Sequence, residues 1–495
     1  MTRLYYWIHH TGRCDRGTGV QRVVTALAKA LVAAGHELVP VRWCADREAA
    51  IRAERAWTDG LADLGGPALV VDEPGSAIHL AEADAGKLDG SWLLIPEVPH
   101  VSNSDGTVLP VAMDYARYHG LRTAMVFYDL IPLRIPGYEG MAAAHAEYAR
   151  ALAGAELVIP ISRHSSGDLE RWWIEQGYHS LRLPILAPVL LPQEMPGVPR
   201  QTQPDGLPAS PLRLLALGTV EPRKNQVALL RAFSALRRRR PALDIRLDVV
   251  GGLHADVAAT IRSLAAENPE IRLHDYAAEE TKLALLNSCH ATVFVSLEEG
   301  YGLPVAESLW HGKPCLCSNF GSMAEIAAGG GCLTVDTRNA EGIELALERL
   351  ADDPDLRLRL ANEACTRALS TWQDYAADVL SAMHATPALR SLTLIEGSHE
   401  PSAANEWVDL PQCHIRRLHW RSDQGALLPG TQREVEAHQP AAGQLADQWS
   451  ILPATTLSGP VEAANLIATA HGMGLQVAVQ ASAQSTYASA DIDIL

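Results

Sequence analysis

One stretch carries the densest chemistry in this chain: Phe294-Val-Ser-Leu-Glu-Glu-Gly-Tyr-Gly-Leu-Pro-Val-Ala-Glu307. Its pattern predicts a buried strand over 291–297, a loop with two glycines, and a helix opened by Pro304. Proline suits the first helical position, where its missing N–H would be unpaired anyway. Gly300 and Gly302 let the backbone approach a ligand closely. The helix start beyond them offers N–H groups and partial positive charge, which favour a phosphate. Glu299 in the loop and Glu307 about one turn into the helix can face the same crevice. A carboxylate beside an anion site suits hydroxyls better than phosphate, and a nucleotide sugar carries both groups. The plain alternative is two solvated acids near a helix start, where acids are favoured in any case.

Other polar residues sit at comparable places. Gly218-Thr-Val-Glu-Pro-Arg-Lys-Asn225 follows a predicted strand over 212–217, with Asn225 placed to cap the next helix. Near the start, a predicted strand over 4–8 enters Thr11-Gly-Arg-Cys-Asp-Arg-Gly-Thr-Gly19. A helix follows, with Val20, Val23, Val24, Leu27 and Leu31 at helical spacing and Gly35 as its stop. A strand over 36–43 completes a nucleotide-fold unit whose loop lies at the carboxyl end of a parallel strand. Gly17-Thr-Gly19 lacks the third glycine of the dinucleotide fingerprint, so NAD is not implied. His9, His10 and His164 read as packing or surface histidines, outside the core site.

The elements that position these residues alternate. Strands are predicted over 91–96, 123–128 and 156–161, with Ser162 able to cap the helix that carries Arg171, Trp172 and Trp173. Pro192 to Pro211 is rich in proline and reads as an interdomain linker. Beyond it, strands over 212–217, 245–250, 271–273, 291–297, 315–318 and 332–335 alternate with helices. One of these helices buries Leu229, Ala232, Phe233 and Leu236 and ends before Pro241. Such alternation implies an α/β chain with parallel sheets covered on both faces. The expected domains are 1–191, a linker over 192–211, 212–385, and an extension over 386–495. In the extension, 392–395 and 475–479 read as strands, 460–471 as a helix and 424–448 as loop. Asp491-Ile-Asp493 has the spacing of a metal–sugar motif, but its place in the extension favours coincidence.

Length and composition set the class. The 495 residues suggest roughly three domains, and 47% hydrophobic with 20% charged residues is globular. A net charge of −17 argues against a general nucleic-acid binder. The N-terminal residues are too polar for a secretory signal, and no run is long enough for a membrane span. The eight cysteines include no CxxC pair; Cys315 and Cys317 read as core thiols, and no metal site is expected. A cytoplasmic protein is expected, with peripheral contact at the inner face of the membrane as an option. Arg237-Arg-Arg-Arg240 and Trp172-Trp173 could touch anionic lipid there, but a solvated helix end and packing are the simpler readings.

Ser296, Glu299-Gly-Tyr-Gly-Leu-Pro304 and Glu307 resemble the motif of the retaining glycosyltransferases of family 4 (glycosyl transferases group 1). Gly312-Lys-Pro314, Ser318-Asn319 and Ser322-Met-Ala-Glu325 continue the resemblance, as do Glu221-Pro-Arg-Lys-Asn225 and, more weakly, Thr18-Gly-Val-Gln-Arg22. It covers residues 1 to 384. The resemblance implies the GT-B fold: two doubly wound Rossmann-like domains facing across a cleft, here with an added C-terminal extension. It implies transfer of a sugar, such as mannose or a related hexose, from a GDP- or UDP-linked donor with retained anomeric configuration and no metal or cofactor. Arg223 and Lys224 would hold the diphosphate as it leaves, which suits two cations beside a helix start. Glu299 would bind the donor sugar and Glu307 the ribose hydroxyls. The backbone at Gly302 and Leu303 would contact sugar or phosphate, and that around Tyr276 the base. Gly17 and Gly19 would approach the phosphates from the first domain; an ordinary turn is the alternative.

One departure matters. Relatives carry His-Asp where this chain has Tyr128-Asp129, so the histidine's role does not transfer. Asp129 is a candidate to orient or deprotonate the acceptor, or a loop cap. The reading is a glycosyltransferase of glycoconjugate or surface-polysaccharide synthesis, with a glycan or lipid-linked acceptor. The competing readings are a GT-B nucleotide-sugar epimerase and a non-catalytic GT-B scaffold in an assembly complex.

Overall fold

The computed structural model describes residues 2–14, 17–69, 80–98, 108–178, 183–206, 210–387, 390–395, 415–421, 433–434 and 489–494. Two compact units divide the chain: one takes in residues to Arg171 and Leu186–Met383, the other Trp172–Ile185 and residues from His384.

The first sheet comprises β1 (Arg3–Trp7), β2 (Glu37–Cys44), β3 (Ala49–Arg52), β4 (Trp92–Ile95), β5 (Arg122–Phe127), β6 (Leu157–Pro160) and β7 (Ile185–Leu186). Its order is β3-β2-β1-β4-β5-β6-β7. Strands β2, β1, β4, β5 and β6 run parallel. The four residues of β4 and of β6 are wholly buried, as continuous apolar strands between helical layers must be. The edge strand β3 pairs antiparallel with β2 and was not predicted. Its Ala-Ala-Ile-Arg lacks the β-branched run that marks a strand. Helix Gly19–Ala33 starts and stops as expected: Thr18 and Gln21 form a capping box, and Gly35 takes a φ of +84° just past the end.

The second sheet comprises β8 (Leu212–Leu217), β9 (Ile245–Val250), β10 (Ile271–His274), β11 (Ala291–Phe294), β12 (Cys315–Ser318) and β13 (Cys332–Val335). Its order is β10-β9-β8-β11-β12-β13 and every pairing is parallel. Leu229, Ala232, Phe233 and Leu236 of helix Gln226–Arg239 pack into one core with Leu214, Leu247 and Leu347. Cys315 and Cys317 are buried in β12. The proline-rich stretch is anchored to this domain: Trp310 Nε1 donates to the Val198 carbonyl at 2.8 Å, and the buried Lys313 pairs with Asp205.

Three local expectations need correction. β11 ends at Phe294 rather than 297, because Ser296 turns its hydroxyl to Glu299 and to the carbonyls of Arg223 and Glu298. The helix after it runs Leu303–Trp310, so Pro304 is its second residue and Gly302, at φ +112°, is its cap. Asn225 stands at a helix start but does not cap it with its side chain. It sits in the left-handed region and its amide donates to the Thr337 carbonyl at 2.8 Å.

Arg237, Arg239 and Arg240 are engaged in ion pairs, as the solvated-helix-end reading allows. Arg237 pairs with Glu270 at 2.7 Å, while Arg239 and Arg240 pair with Glu344, Glu348 and Asp352 at 2.8–3.0 Å. Trp172 and Trp173 are buried. No described helix is long and apolar enough to cross a membrane.

In the other unit, β14 (Arg390–Ile395), β15 (Ile415–Arg421), β16 (Arg433–Glu434) and β17 (Ser489–Ile494) form an antiparallel sheet in the order β14-β17-β15-β16. The strand expected over 392–395 is part of β14, and Asp491 and Asp493 lie in β17. The strand over 475–479, the helix over 460–471 and nearly all of the loop over 424–448 lie outside the described residues.

Candidate functional site

The carboxyl ends of both parallel sheets carry predicted residues together with others that the sequence did not mark. In the first domain these are the loop after β1, Glu97 after β4, Asp129 after β5 and Ser162 after β6. In the second they are Gly218 and Arg223 after β8, Gly251 after β9, Tyr276 after β10 and Glu299 after β11. Loops at this edge are where a doubly wound fold binds ligands.

Glu299 and Arg223 meet directly. Arg223 Nη1 lies 2.9 Å from Glu299 Oε1, and Nη2 lies 2.7 Å from Glu221 Oε1. Arg223 also donates to the Glu298 carbonyl at 2.9 Å and to the Tyr138 hydroxyl at 3.2 Å. Burial works against its charge, but the carboxylates of Glu299 and Glu221 outweigh that and hold the guanidinium firmly protonated. Ser296 adds a second bond to Glu299 Oε1 at 2.9 Å, and Ser322 donates to the Glu299 carbonyl at 2.8 Å. Both side-chain bonds fall on Oε1; Oε2 carries none among the described residues.

Lys224 makes no ion pair among the described residues. Its ammonium lies 5.8 Å from the centre of the Phe294 ring. Gly218, at φ +114°, leaves the room it occupies: a β-carbon there would lie 3.1 Å from Lys224 Nζ. Tyr276 is 78% exposed. Its backbone has φ +50°, and its ring fills the space where Gly252 lacks a side chain.

Asp129 serves two sides. Its Oδ1 accepts from the Ile131 N–H at 3.0 Å, so the loop-cap reading holds. Its Oδ2 faces Gly300, where a β-carbon would lie 3.1 Å away. Burial pushes the Asp129 carboxyl up to about 6, against the pull of the Ile131 N–H and of Arg223. Below it, buried His145 Nε2 lies 2.9 Å from the Asp129 carbonyl, so that nitrogen carries the proton. Tyr128, standing where the resemblance implies a histidine, is buried and donates to the Pro96 carbonyl at 2.6 Å. It is a structural residue here.

The two domains meet at the Gly300 loop. Ser162 donates to the Gly300 carbonyl at 2.7 Å, and accepts from the Ser165 N–H at 3.0 Å as the expected helix cap. The N–H groups of Arg163 and His164 donate to Glu325 at 3.0 and 2.5 Å. A shallow crevice lies beside this contact, lined by Asp129, Leu130, Ile131, Arg134, His164, Ser165, Asp168, Glu298 and Glu299. His164, set aside on sequence, lines it: Nε2 lies 2.7 Å from Glu298 Oε1, a bond that raises its pKa.

Glu307, Leu303 and Gly302 lie on the facing side of the same loop. Leu303 packs against Gly19, whose β-carbon would lie 3.5 Å from Leu303 Cδ1. One turn along each helix, Arg22 bonds Glu307 directly. Gly17 is exposed, and a β-carbon there would lie 3.9 Å from Leu64 Cδ2. The loop before it is anchored by Glu97, fully buried, which accepts from the N–H groups of His10 and Thr11 at 2.7 and 2.9 Å and from the Thr11 hydroxyl at 2.8 Å. Burial pushes the Glu97 carboxyl up to about 7.

Sequence reasoning missed Arg22, Glu97, Tyr138, His164 and Glu298. For Arg22 a signal existed, since it stands one turn after Gly19 as Glu307 stands one turn after Leu303. Tyr138 and Glu97 carry no local mark. Among the described residues no cluster of His, Cys, Asp and Glu is arranged to hold a metal ion.

Residues 199–367 match the family model described as Glycosyl transferases group 1. The chain is 30% identical over 186 residues to a D-inositol 3-phosphate glycosyltransferase of Pseudarthrobacter chlorophenolicus, covering 36% of this chain and 44% of that protein. It is 29% identical over 173 residues to the O-antigen chain mannosyltransferase B of Escherichia coli, covering 34% and 44%. The matched region thus spans less than half the length of these relatives. A sucrose-phosphate synthase from Thermosynechococcus elongatus shares the fold, with a TM-score of 0.54 and 16% identity over 78% of this chain and 98% of that one. The first unit therefore has the GT-B architecture, and residues 199–367 are similar to the glycosyl transferases group 1 family.

Proposed function

We propose that this protein transfers a hexose from a nucleoside-diphosphate donor to a hydroxyl of a glycan or lipid-linked acceptor, keeping the anomeric configuration and needing no metal. The observation that carries the reading is the joining of Glu299 to Arg223 beside Lys224, which makes no ion pair among the described residues, with Asp129 across the crevice. Arg223 and Lys224 take the charge that grows on the departing diphosphate, the role a metal would otherwise fill. Glu299 offers Oε2 to the donor sugar while Arg223 and Ser296 fix Oε1. Asp129, half titrated near pH 6, orients the acceptor hydroxyl and takes its proton. Glu307 takes the ribose hydroxyls, the backbone of Gly302 and Leu303 the sugar or phosphate, and the loop at Tyr276 the base. Gly17 and Gly19 bring backbone toward the phosphates. A GDP- or UDP-linked mannose or related hexose fits the mannosyltransferase named among the relatives.

The test is incubation with a panel of nucleotide sugars and glycan or polyprenyl-phosphate acceptors, with and without a chelator. Products are followed by mass spectrometry and nuclear magnetic resonance. Acceptor-dependent nucleotide release with an axial-to-axial product and no loss on chelation is expected. Isomerised donor without transfer would replace this reading with an epimerase, and no donor binding at millimolar concentration would end both.

A further inference from the structure

We infer that Arg22 is a third cation for the donor diphosphate, supplied by the N-terminal domain and held by Glu307 until the donor arrives. The inference rests on the proposed function, in which Glu307 receives the ribose. Arg22 and Glu307 are brought together by the close approach of two helix starts at Gly19 and Leu303. Arg22 Nη1 donates to Glu307 Oε1, and the other guanidinium donors make no hydrogen bond among the described residues. The carboxylate is the sheltered partner, 15% exposed against 39% for the arginine side chain.

Ribose hydroxyls and Arg22 compete for one carboxylate. Hydroxyls satisfy Glu307 as hydrogen-bond donors but bring no charge, so their arrival leaves the guanidinium without its counter-charge. The same ligand carries that counter-charge, since the diphosphate is joined to the ribose. A guanidinium grips phosphate oxygens through paired N–H donors, so the exchange leaves every group bonded. Arg223 and Lys224 approach the diphosphate from the second domain; Arg22 approaches from the first. Donor binding therefore replaces a protein–protein ion pair with contacts to both domains.

Isothermal titration of the full chain with GDP, UDP, guanosine and uridine tests this through the ratio of diphosphate to nucleoside affinity. Arg22→Ala is expected to lower that ratio by about tenfold, the worth of one charged hydrogen bond. Arg22→Lys is expected to recover part of it. Glu307→Gln should weaken nucleoside and diphosphate together and leave the ratio within about twofold. If Arg22→Ala fails to fold, Arg22→Gln carries the same expectation. An unchanged ratio in a folded Arg22 variant overturns the inference and leaves the proposed function standing. If the unaltered protein binds no nucleoside diphosphate, both fall.

Discussion

Arg223 and Lys224 are neighbours in sequence, yet the structure gives them unlike surroundings, and their removal should differ accordingly. Arg223 is wedged between Glu221 and Glu299, each about one-eighth exposed. Truncating it leaves two sheltered carboxylates facing each other without a cation. Arg223→Ala should therefore lose both activity and stability, by about 3 kcal/mol in a denaturant titration. Lys224 has no such partner among the described residues, so Lys224→Ala should reduce kcat by about 10²–10³-fold with an unchanged melting temperature. Equal destabilisation by the two variants would contradict the ion-pair assignment. Asp129 sets a pH dependence of definite sign. Its folded-state pKa is raised from 3.8 to about 6, so its contribution to stability is greatest below pH 4 and fades as pH rises toward 6. Activity should move the opposite way, rising through pH 6 as the base ionises. Asp129→Asn should abolish that limb; a limb that survives in the variant would remove Asp129 as the base. At this scale, Glu299 and Glu307 were legible because glycines and a proline mark their loop locally. His164 and Tyr138 were not, because each acts through a partner far away in sequence.

Among the elements, the Gly300 loop is packed closely against the opposite domain. A β-carbon on Gly300 would lie 2.7 Å from the Tyr128 carbonyl and 3.1 Å from Asp129 Oδ2. Both obstacles belong to the opposite domain, and the first is backbone. Gly300→Ala should push the loop off Ser162 and Ser165, cutting kcat/KM by more than about tenfold while the second domain keeps its own stability. Crystallography or hydrogen exchange at 297–303 checks this, and an undisturbed loop with full activity would contradict it. Glycine's local role in freeing the backbone was readable from sequence; the reason it must be glycine, a neighbour across the interface, was not. The same contrast separates the strands. β8, β9, β12 and β13 were found to the residue because each is a short, mostly apolar run bounded by turns or helices in strand–helix alternation. β3 was missed because an edge strand of alanines owes its pairing to β2 rather than to its own propensity. Asn225 looked like a cap by residue type, but a carbonyl at Thr337 claimed its amide instead.

For the molecule as a whole, the bonds joining the two Rossmann-like domains at the site are largely polar and partly titratable. His164 to Glu298 is the clearest. The bond raises the histidine above its ordinary 6.5, so its contribution is complete below that value and is lost as pH rises through the raised one. Small-angle scattering should show the domain pair opening modestly as pH rises past neutrality, and His164→Gln should flatten that response. A radius of gyration that stays constant in the unaltered protein would count against the bond as a domain contact. The two-domain architecture was readable from the alternation of strands and helices, interrupted by prolines at 192–211. The pairing of particular side chains across the cleft was not, since no periodicity records which loop of one domain meets which loop of the other.

The self-pairing of Arg22 with Glu307 and of Arg223 with Glu299 has a consequence for selectivity. Free phosphate or pyrophosphate can offer an arginine new acceptors, but would strand the carboxylate it leaves behind. A free sugar can offer the carboxylate new donors, but would strand the arginine. Either intruder exchanges one good contact for another plus an uncompensated charge, and so gains little. A molecule with hydroxyls and phosphates at the right separation compensates both sides at once. On the proposed function, the paired site works as a two-key lock, turning away metabolites that hold only one key.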